Sequence, residues 1–201
     1  MAERIAVIDF ETTGMSPAQG ARPTEVGVAM IEGGVIVARY QSLMNAGAWV
    51  PPFIEQLTGI SNAMLRGAPP VAQVMAEVAD FVGDAPLLAH NAAFDMKFWD
   101  AELGLLGRRR TRDFACSLLL SRRLLPEAPS HKLGSLNSWA GLPGTGQAHR
   151  ALADAEMAAN LTLHLQQLLW ARHEIRADHG YLCALQKLSA AKVRGLLRLD
   201  A

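Results

Sequence analysis

Three short stretches of the sequence carry side chains that can do chemistry. The first is RIAVIDFETTG at residues 4–14, where Asp9 and Glu11 follow a run of apolar residues. Side chains two residues apart in a strand lie on the same face, so these carboxylates should project together where the strand ends. Burial of a carboxylate is costly unless a positive charge compensates it, and no Lys or Arg lies between Arg4 and Arg22. The compensating charge must come from elsewhere.

The other two stretches add two aspartates and a histidine. AHNAAFD, at residues 89–95, places Asp95 at the start of a helix that follows a short apolar strand. AHRALADAEMA, at residues 148–158, places Asp154 on a helix and His149 in the loop just ahead of it, from which the imidazole can reach the face of Asp154. Each residue alone fits an ordinary solvated position. Together they fit an active site, because such sites gather at the strand ends of open α/β sheets.

Four carboxylates in one crevice repel one another and raise one another's pKa unless cations compensate. A set of oxygen ligands without cysteine suits hard cations such as Mg²⁺ or Mn²⁺. The pattern therefore predicts bound metal, and not an arginine, as the missing positive charge.

The order of the apolar patterns predicts how the chain positions these residues. Residues 4–10 are typical of a buried strand, and two β-rich runs around the glycine pair at 33–34 predict a hairpin, which together give an antiparallel meander. Helices and strands then alternate, and the longest helix starts near His149, is interrupted at Gly180 and is followed by a weaker amphipathic piece to Leu199. This order predicts an α/β fold with a mixed sheet and helices on its faces.

Composition limits the class of protein and its partners. The chain has 201 residues, of which 50% are hydrophobic and 19% charged, as expected for one globular domain. We see no apolar run long enough for a membrane span or a secretion signal, so we expect a cytoplasmic protein without a membrane partner. The formal net charge is zero, which disfavours a broad grip on duplex nucleic acid and allows contact with a few nucleotides.

The three stretches resemble the three motifs of the DEDD superfamily of 3′–5′ exonucleases, in its histidine-containing (DEDDh) branch. The matching segments are DFETTG at 9–14, HNAAFD at 90–95 and HRALAD at 149–154. That branch includes the epsilon proofreading subunit of bacterial DNA polymerase III and ribonuclease T. The resemblance implies a ribonuclease H-like three-layer fold, with an exonuclease domain at 1–171 and a C-terminal helical extension at 172–201.

The resemblance also implies roles for individual residues. Two divalent cations, Mg²⁺ or Mn²⁺, would be held by Asp9, Glu11, Asp95 and Asp154, with His149 as the general base. Further positions match those that line the terminal-nucleotide pocket in the family: Thr12, Gly14, Thr58, Gly59, Ile60, His90, Asn91 and Phe94. Many relatives have histidine in place of Thr58, a difference that bears on sugar or base preference. Phe10 should point into the core, whereas Phe94 fits either a stacking surface or core packing.

The sequence is compatible with three functions. The leading one is hydrolysis of single-stranded or frayed DNA 3′ ends to nucleoside 5′-monophosphates. The first alternative is the same reaction on RNA, as in ribonuclease T and the oligoribonucleases. The second is a non-catalytic nucleic-acid or polymerase-binding module, which the complete set of chemical residues disfavours. A polymerase subunit or a second copy of the chain are the open protein partners, and residues 172–201 should pack back on the domain or on that second copy.

Overall fold

A computed structural model describes residues 3–146 and 149–197 of the chain. The strands are β1 (Arg4–Thr12), β2 (Pro23–Glu32), β3 (Val35–Leu43), β4 (Leu87–Ala89) and β5 (Phe114–Cys116). The helices are α1 (Pro52–Thr58), α2 (Asn62–Arg66), α3 (Val71–Val82), α4 (Ala93–Leu105), α5 (Ser117–Leu124), α6 (Leu133–Trp139), α7 (Ala151–His173), α8 (His179–Lys187) and α9 (Ala190–Leu197). Within the described ranges, no helix is both long enough and apolar enough to cross a membrane.

The five strands form one mixed sheet in the order β3-β2-β1-β4-β5. β1 pairs with β2, and β2 with β3, in antiparallel ladders, whereas β4 is parallel to both β1 and β5. Gly33 and Gly34 form the β2–β3 turn with φ angles of 59° and 86°, a conformation that glycine adopts without steric cost. The predicted meander and mixed sheet are confirmed.

Side chains of β1 alternate between two core layers. Ile5 and Val7 pack in the layer formed with α5 to α9, whereas Ile8 and Phe10 pack in the layer formed with α3 and α4. Phe10 lies near Trp99, with 6.5 Å between ring centroids, so its predicted direction into the core is confirmed. Residues at odd positions share the face of α7. The same alternation therefore directs the side chains at 9 and 11 toward that helix.

The prediction that Gly180 interrupts the longest helix was wrong. α7 ends at His173, and the break is made by Glu174, whose φ of +57° is left-handed. Asp178 then caps α8, because its side chain accepts a hydrogen bond from the backbone N–H of Tyr181. Gly180 lies in the first turn of α8, where backbone N–H groups have no intrahelical acceptor and a glycine disrupts little.

The described part of the C-terminal extension packs back on the domain. Six of its side chains are buried in the core layer beside α7: Ala177, Leu182, Cys183, Leu185, Val193 and Leu197. The Gln186 side chain accepts from Cys116 N at 2.6 Å and donates to Phe114 O at 3.0 Å, which satisfies backbone groups on the edge strand β5. The division of the chain at residue 171 stays a prediction, and Leu199 lies outside the described residues.

Candidate active site

Asp95 is held beside the end of β1, at the point where β1 and β4 no longer pair. The two strands pair only at Ala6–Leu87 and Val7–Leu88, so the backbone of β1 beyond these pairs is free on that side. The N–H of Phe10 donates to Asp95 Oδ1 at 3.1 Å. Asp95 lies in the first turn of α4 and is 2% exposed. This hydrogen bond fixes a buried carboxylate beside the end of β1.

A close backbone contact brings α7 to the same place. Gly27 of β2 pairs with Asp9 of β1, and a Cβ atom at Gly27 would collide with the backbone of Ala151 and Leu152. The first turn of α7 therefore lies directly on the sheet. It carries Asp154 toward the face on which the acidic side chains of β1 lie.

His149 lies in the loop ahead of α7, as the sequence predicts. Its φ is +60°, a left-handed conformation uncommon in residues other than glycine. Its backbone N–H donates to Asp154 Oδ2 at 3.2 Å, and its side chain is exposed. One ring nitrogen of His149 and one carboxylate oxygen from each of Glu11 and Asp154 all lie within 4.8 Å of one another.

Burial and mutual repulsion raise the pKa values of the four carboxylates. Burial, followed by the charges of Asp95, Asp154 and Glu11, raises the pKa of Asp9 well above its usual value. Burial and then the charge of Asp154 raise the pKa of Glu11 to about 8. Burial likewise raises the pKa values of Asp95 and Asp154. Because the set consists of hard oxygen donors whose burial and mutual repulsion raise their pKa values, it fits divalent cations, which would compensate the charged forms.

Two charged residues of the site, Glu25 and Arg150, were not among the residues predicted from the sequence. Glu25 lies opposite Glu11 in the β1–β2 ladder and is fully buried, and Arg150 binds it through Nε at 3.1 Å and Nη2 at 2.7 Å. Arg150 also acts to lower the pKa of Glu11, although burial and Asp154 outweigh it. Arg150 does not bring the pKa of Glu11 back to its usual value, so bound metal as the main compensating charge stays a prediction. The sequence signal for Glu25 was its charge at the start of the apolar run EVGVAMIEGG, where a carboxylate in a buried strand needs a partner.

Two of the three predicted pocket residues at the C-terminal end of α1 direct their side chains into the protein. The Thr58 hydroxyl donates to Ile54 O at 2.9 Å and accepts from Ile60 N at 3.1 Å, and Thr58 is 1% exposed. The Ile60 side chain is fully buried, whereas Gly59 is exposed with a φ of 72°. A role for these residues in binding substrate stays a prediction, and the backbone at Gly59 is the part that faces solvent.

Both ring nitrogens of His90 are occupied by protein groups. Nε2 lies 3.0 Å from the carbonyl oxygen of His131, to which only an N–H can donate, so Nδ1 accepts from the Ser117 hydroxyl at 3.0 Å. Burial lowers the pKa of His90 to about 4. His90 is therefore neutral near pH 7, and a contact with substrate would use its ring face or its backbone.

Three of the remaining pocket residues are at least partly accessible, and their binding roles stay predictions. The buried Thr12 donates its hydroxyl to the carbonyl oxygen of the partly exposed Gly14 at 2.7 Å, which shapes the turn after β1. Asn91 is exposed and has a φ of 66°. Phe94 is half-buried, with its ring centroid 5.1 Å from that of Phe98, so it packs on the core and also presents a surface.

A family model described as exonuclease (RNase_T) matches residues 6–162, which include all four carboxylates and His149. The chain belongs to this family. It is 31% identical over 182 residues to DNA polymerase III subunit epsilon of Aquifex aeolicus strain VF5, covering 90% of this chain and 89% of that protein. The predicted membership of the DEDD 3′–5′ exonucleases is confirmed. Two further relatives are much longer: this exonuclease spans 18% of the length of the 3′-5′ exonuclease DinG of Bacillus subtilis and 11% of that of the PolC-type DNA polymerase III of Bacillus cereus.

Solved structures of other nucleases share the fold. Exonuclease X in complex with 5′ overhanging duplex DNA matches with a TM-score of 0.67 and 23% identity over 81% of this exonuclease and 91% of that chain. The nuclease domain of 3′hExo, a DEDDh family member bound to rAMP, matches with a TM-score of 0.70 and 20% identity over 83% and 92% of the two chains. The predicted ribonuclease H-like fold is confirmed.

The raised pKa of Glu11 predicts how stability depends on pH when divalent cations are chelated. Between about pH 4.5 and 8 the native protein keeps a proton that the unfolded chain has lost, so the free energy of unfolding should fall as pH rises. Glu11→Gln removes this contribution. We expect the free energy of unfolding of the variant to be about 1–3 kcal/mol higher than that of the wild type near pH 8. This value is smaller than the full pKa shift would give, because Glu11 is partly exposed and solvent screens its charge.

Urea unfolding in EDTA at about pH 5 and about pH 8 measures this difference. Glu127→Gln, in an exposed loop, is the matched control and should follow the wild type. Equal loss of stability with pH in the wild type and in Glu11→Gln would contradict the assignment of this carboxylate as a desolvated group with a raised pKa.

Proposed function

We propose that this exonuclease hydrolyses single-stranded or frayed DNA 3′ ends to nucleoside 5′-monophosphates. Asp9, Glu11, Asp95 and Asp154 would hold two divalent cations, Mg²⁺ or Mn²⁺. The observation that carries the proposal is the convergence of Glu11, Asp154 and His149 within 4.8 Å, beside two further desolvated aspartates. When bound, such cations supply charge stabilisation for the attacking and leaving oxygens of an in-line displacement.

His149 is proposed as the general base. Its exposed side chain lies at the edge of the carboxylate cluster, where it can meet both solvent and substrate. A neutral imidazole nitrogen has a lone pair that can accept a proton, so this ring can act as the base for the attacking water. His90, the other histidine of the predicted motifs, does not suit this role because both of its ring nitrogens already have protein partners.

The choice of DNA is supported by the similarity to a DNA polymerase III subunit. On the same similarity we propose a polymerase subunit as a protein partner, with a second copy of the chain as the alternative. The zero net charge fits a short single-stranded end better than a long duplex. RNA is the second candidate substrate, because the similar nuclease domain of 3′hExo was solved with rAMP.

Labelled oligonucleotides test the direction, the sugar preference and the need for metal together. Matched DNA and RNA strands, labelled at the 5′ or the 3′ end, are incubated with the protein in Mn²⁺ or in EDTA. With Mn²⁺, 3′-labelled DNA should release its label at once as a mononucleotide, and 5′-labelled DNA should shorten in a ladder. EDTA should stop both reactions, because chelation removes the charge that compensates the carboxylates, and excess Mg²⁺ or Mn²⁺ should restore them.

Each alternative result has a distinct meaning. Cleavage that continues in EDTA would contradict the metal-dependent mechanism. Faster shortening of RNA than of DNA would favour the exoribonuclease. Binding of the strands without any shortening would favour the non-catalytic module.

A further inference from the structure

Glu25 is a buried carboxylate with a complete set of donors. It is 0% exposed, and it accepts from Arg150 Nη2 at 2.7 Å, Arg150 Nε at 3.1 Å, Ala151 N at 3.0 Å and Gln41 Nε2 at 2.8 Å. A charge removed from water is tolerated only when it is paired and hydrogen-bonded to this degree. The planar guanidinium of Arg150 meets the carboxylate with two parallel bonds, which fixes orientation as well as distance.

This ion pair joins the two segments that carry the proposed chemistry. Glu25 lies opposite Glu11 in the β1–β2 ladder, so one side of the pair is built into the sheet. Arg150 and Ala151 directly follow His149, so the other side is the segment that presents the imidazole. Since the backbone of Ala151 also packs directly on Gly27, two independent contacts place this segment against the sheet.

His149 depends on its backbone for its position. In the part of the chain that the structure describes, its ring makes no hydrogen bond, and its backbone N–H makes one, to Asp154. Its φ of +60° is a conformation that persists only when the surrounding structure imposes it. The side chain of the next residue, Arg150, is fixed to the sheet by its ion pair with Glu25.

We propose that Glu25 and Arg150 are positioning residues that hold the backbone of His149 so that its ring faces the carboxylate cluster. This inference rests on the proposed function of His149 as the base. Neither residue is assigned contact with substrate. They act through the geometry of the loop, and a displacement of about 1 Å at a catalytic group can lower a rate about 100-fold.

Arg150→Ala tests the proposal through kcat and KM measured separately. We expect kcat on a DNA oligonucleotide in Mn²⁺ to fall about 10- to 100-fold, with KM changed by less than about threefold. Arg150→Lys keeps the charge without the two-pronged geometry and should recover part of the loss. Arg39→Ala is the matched control, because Arg39 of the sheet forms an ion pair with Glu156 of α7, and this variant should leave kcat unchanged.

A double variant separates positioning from a general structural effect. In a His149→Ala background, Arg150→Ala should change kcat by less than about threefold, because the group it positions is already absent. A full additional loss of about 10- to 100-fold in that background would overturn the proposal and indicate a structural role. If Arg150→Ala fails to fold, as judged by thermal unfolding, Arg150→Lys and Glu25→Gln in the same two backgrounds decide the question.

Failure of the proposed function gives a different result from failure of this inference. A wild-type chain that releases no nucleotide in Mn²⁺ overturns the proposed function, and the positioning role falls with it. An active wild type, with a defective His149→Ala variant and an Arg150→Ala variant at full rate, overturns the positioning role alone.

Discussion

Asp9→Asn is expected to lower the rate of 3′-end cleavage by about 10³-fold or more. The change keeps the size of the side chain and removes its charge. Metal binding supplies several kcal/mol of transition-state stabilisation, and each 1.36 kcal/mol corresponds to about a tenfold change in rate. Asp9 is the carboxylate whose pKa responds to all three of the others, so its charge is the one most closely coupled to the whole cluster.

The rate of nucleotide release at saturating oligonucleotide and Mn²⁺ measures this effect. Asp100→Asn is a suitable control, because Asp100 is an exposed residue of α4 that pairs with Arg110 away from the site, and its variant should keep full activity. Thermal unfolding in EDTA should show that Asp9→Asn is folded and at least as stable as the wild type, since a desolvated charge has been removed. Activity within tenfold of the wild type would contradict a metal-holding role for Asp9.

His149→Ala is expected to lower kcat by about 10²–10⁴-fold, the usual contribution of a general base. The exposed ring of His149 lies at the edge of the cluster, and removing it leaves all four carboxylates in place. We therefore expect Mn²⁺ binding to be largely kept while the acceptor for the proton of the attacking water is lost.

Single-turnover cleavage at neutral pH, with Mn²⁺ affinity measured on the same samples, separates the two effects. His164→Ala is the control, because His164 lies on α7 about three turns beyond Asp154. This variant should cleave at the wild-type rate. Full turnover by His149→Ala would show that another group accepts the proton.

Local periodicity explains why the framework of the site could be predicted from the sequence. The two-residue alternation of β1 places Asp9 and Glu11 on one face and Phe10 on the other, and the structure shows that arrangement. Likewise, the location of His149 ahead of α7, rather than within it, could be predicted because a separation of five on one helix would have turned it away from Asp154. These inferences use only the geometry of a single element.

Features that depend on contacts between distant segments could not be predicted in this way. The ion pair between Glu25 and Arg150 joins residues 125 positions apart, and no local pattern links them. Glu174 ends α7 in a left-handed conformation that a glycine would adopt more readily, which made Gly180 the more obvious breaker. The inward hydrogen bonds of the Thr58 hydroxyl depend on the particular turn between α1 and α2.

Calorimetric titration with Mn²⁺ tests most directly whether these carboxylates form a binding site for divalent ions. We expect saturable uptake by the wild-type chain, approaching two ions per molecule, and a clear loss of that uptake in Asp9→Asn. Absence of uptake by the wild type, or equal uptake by the variant, would contradict it.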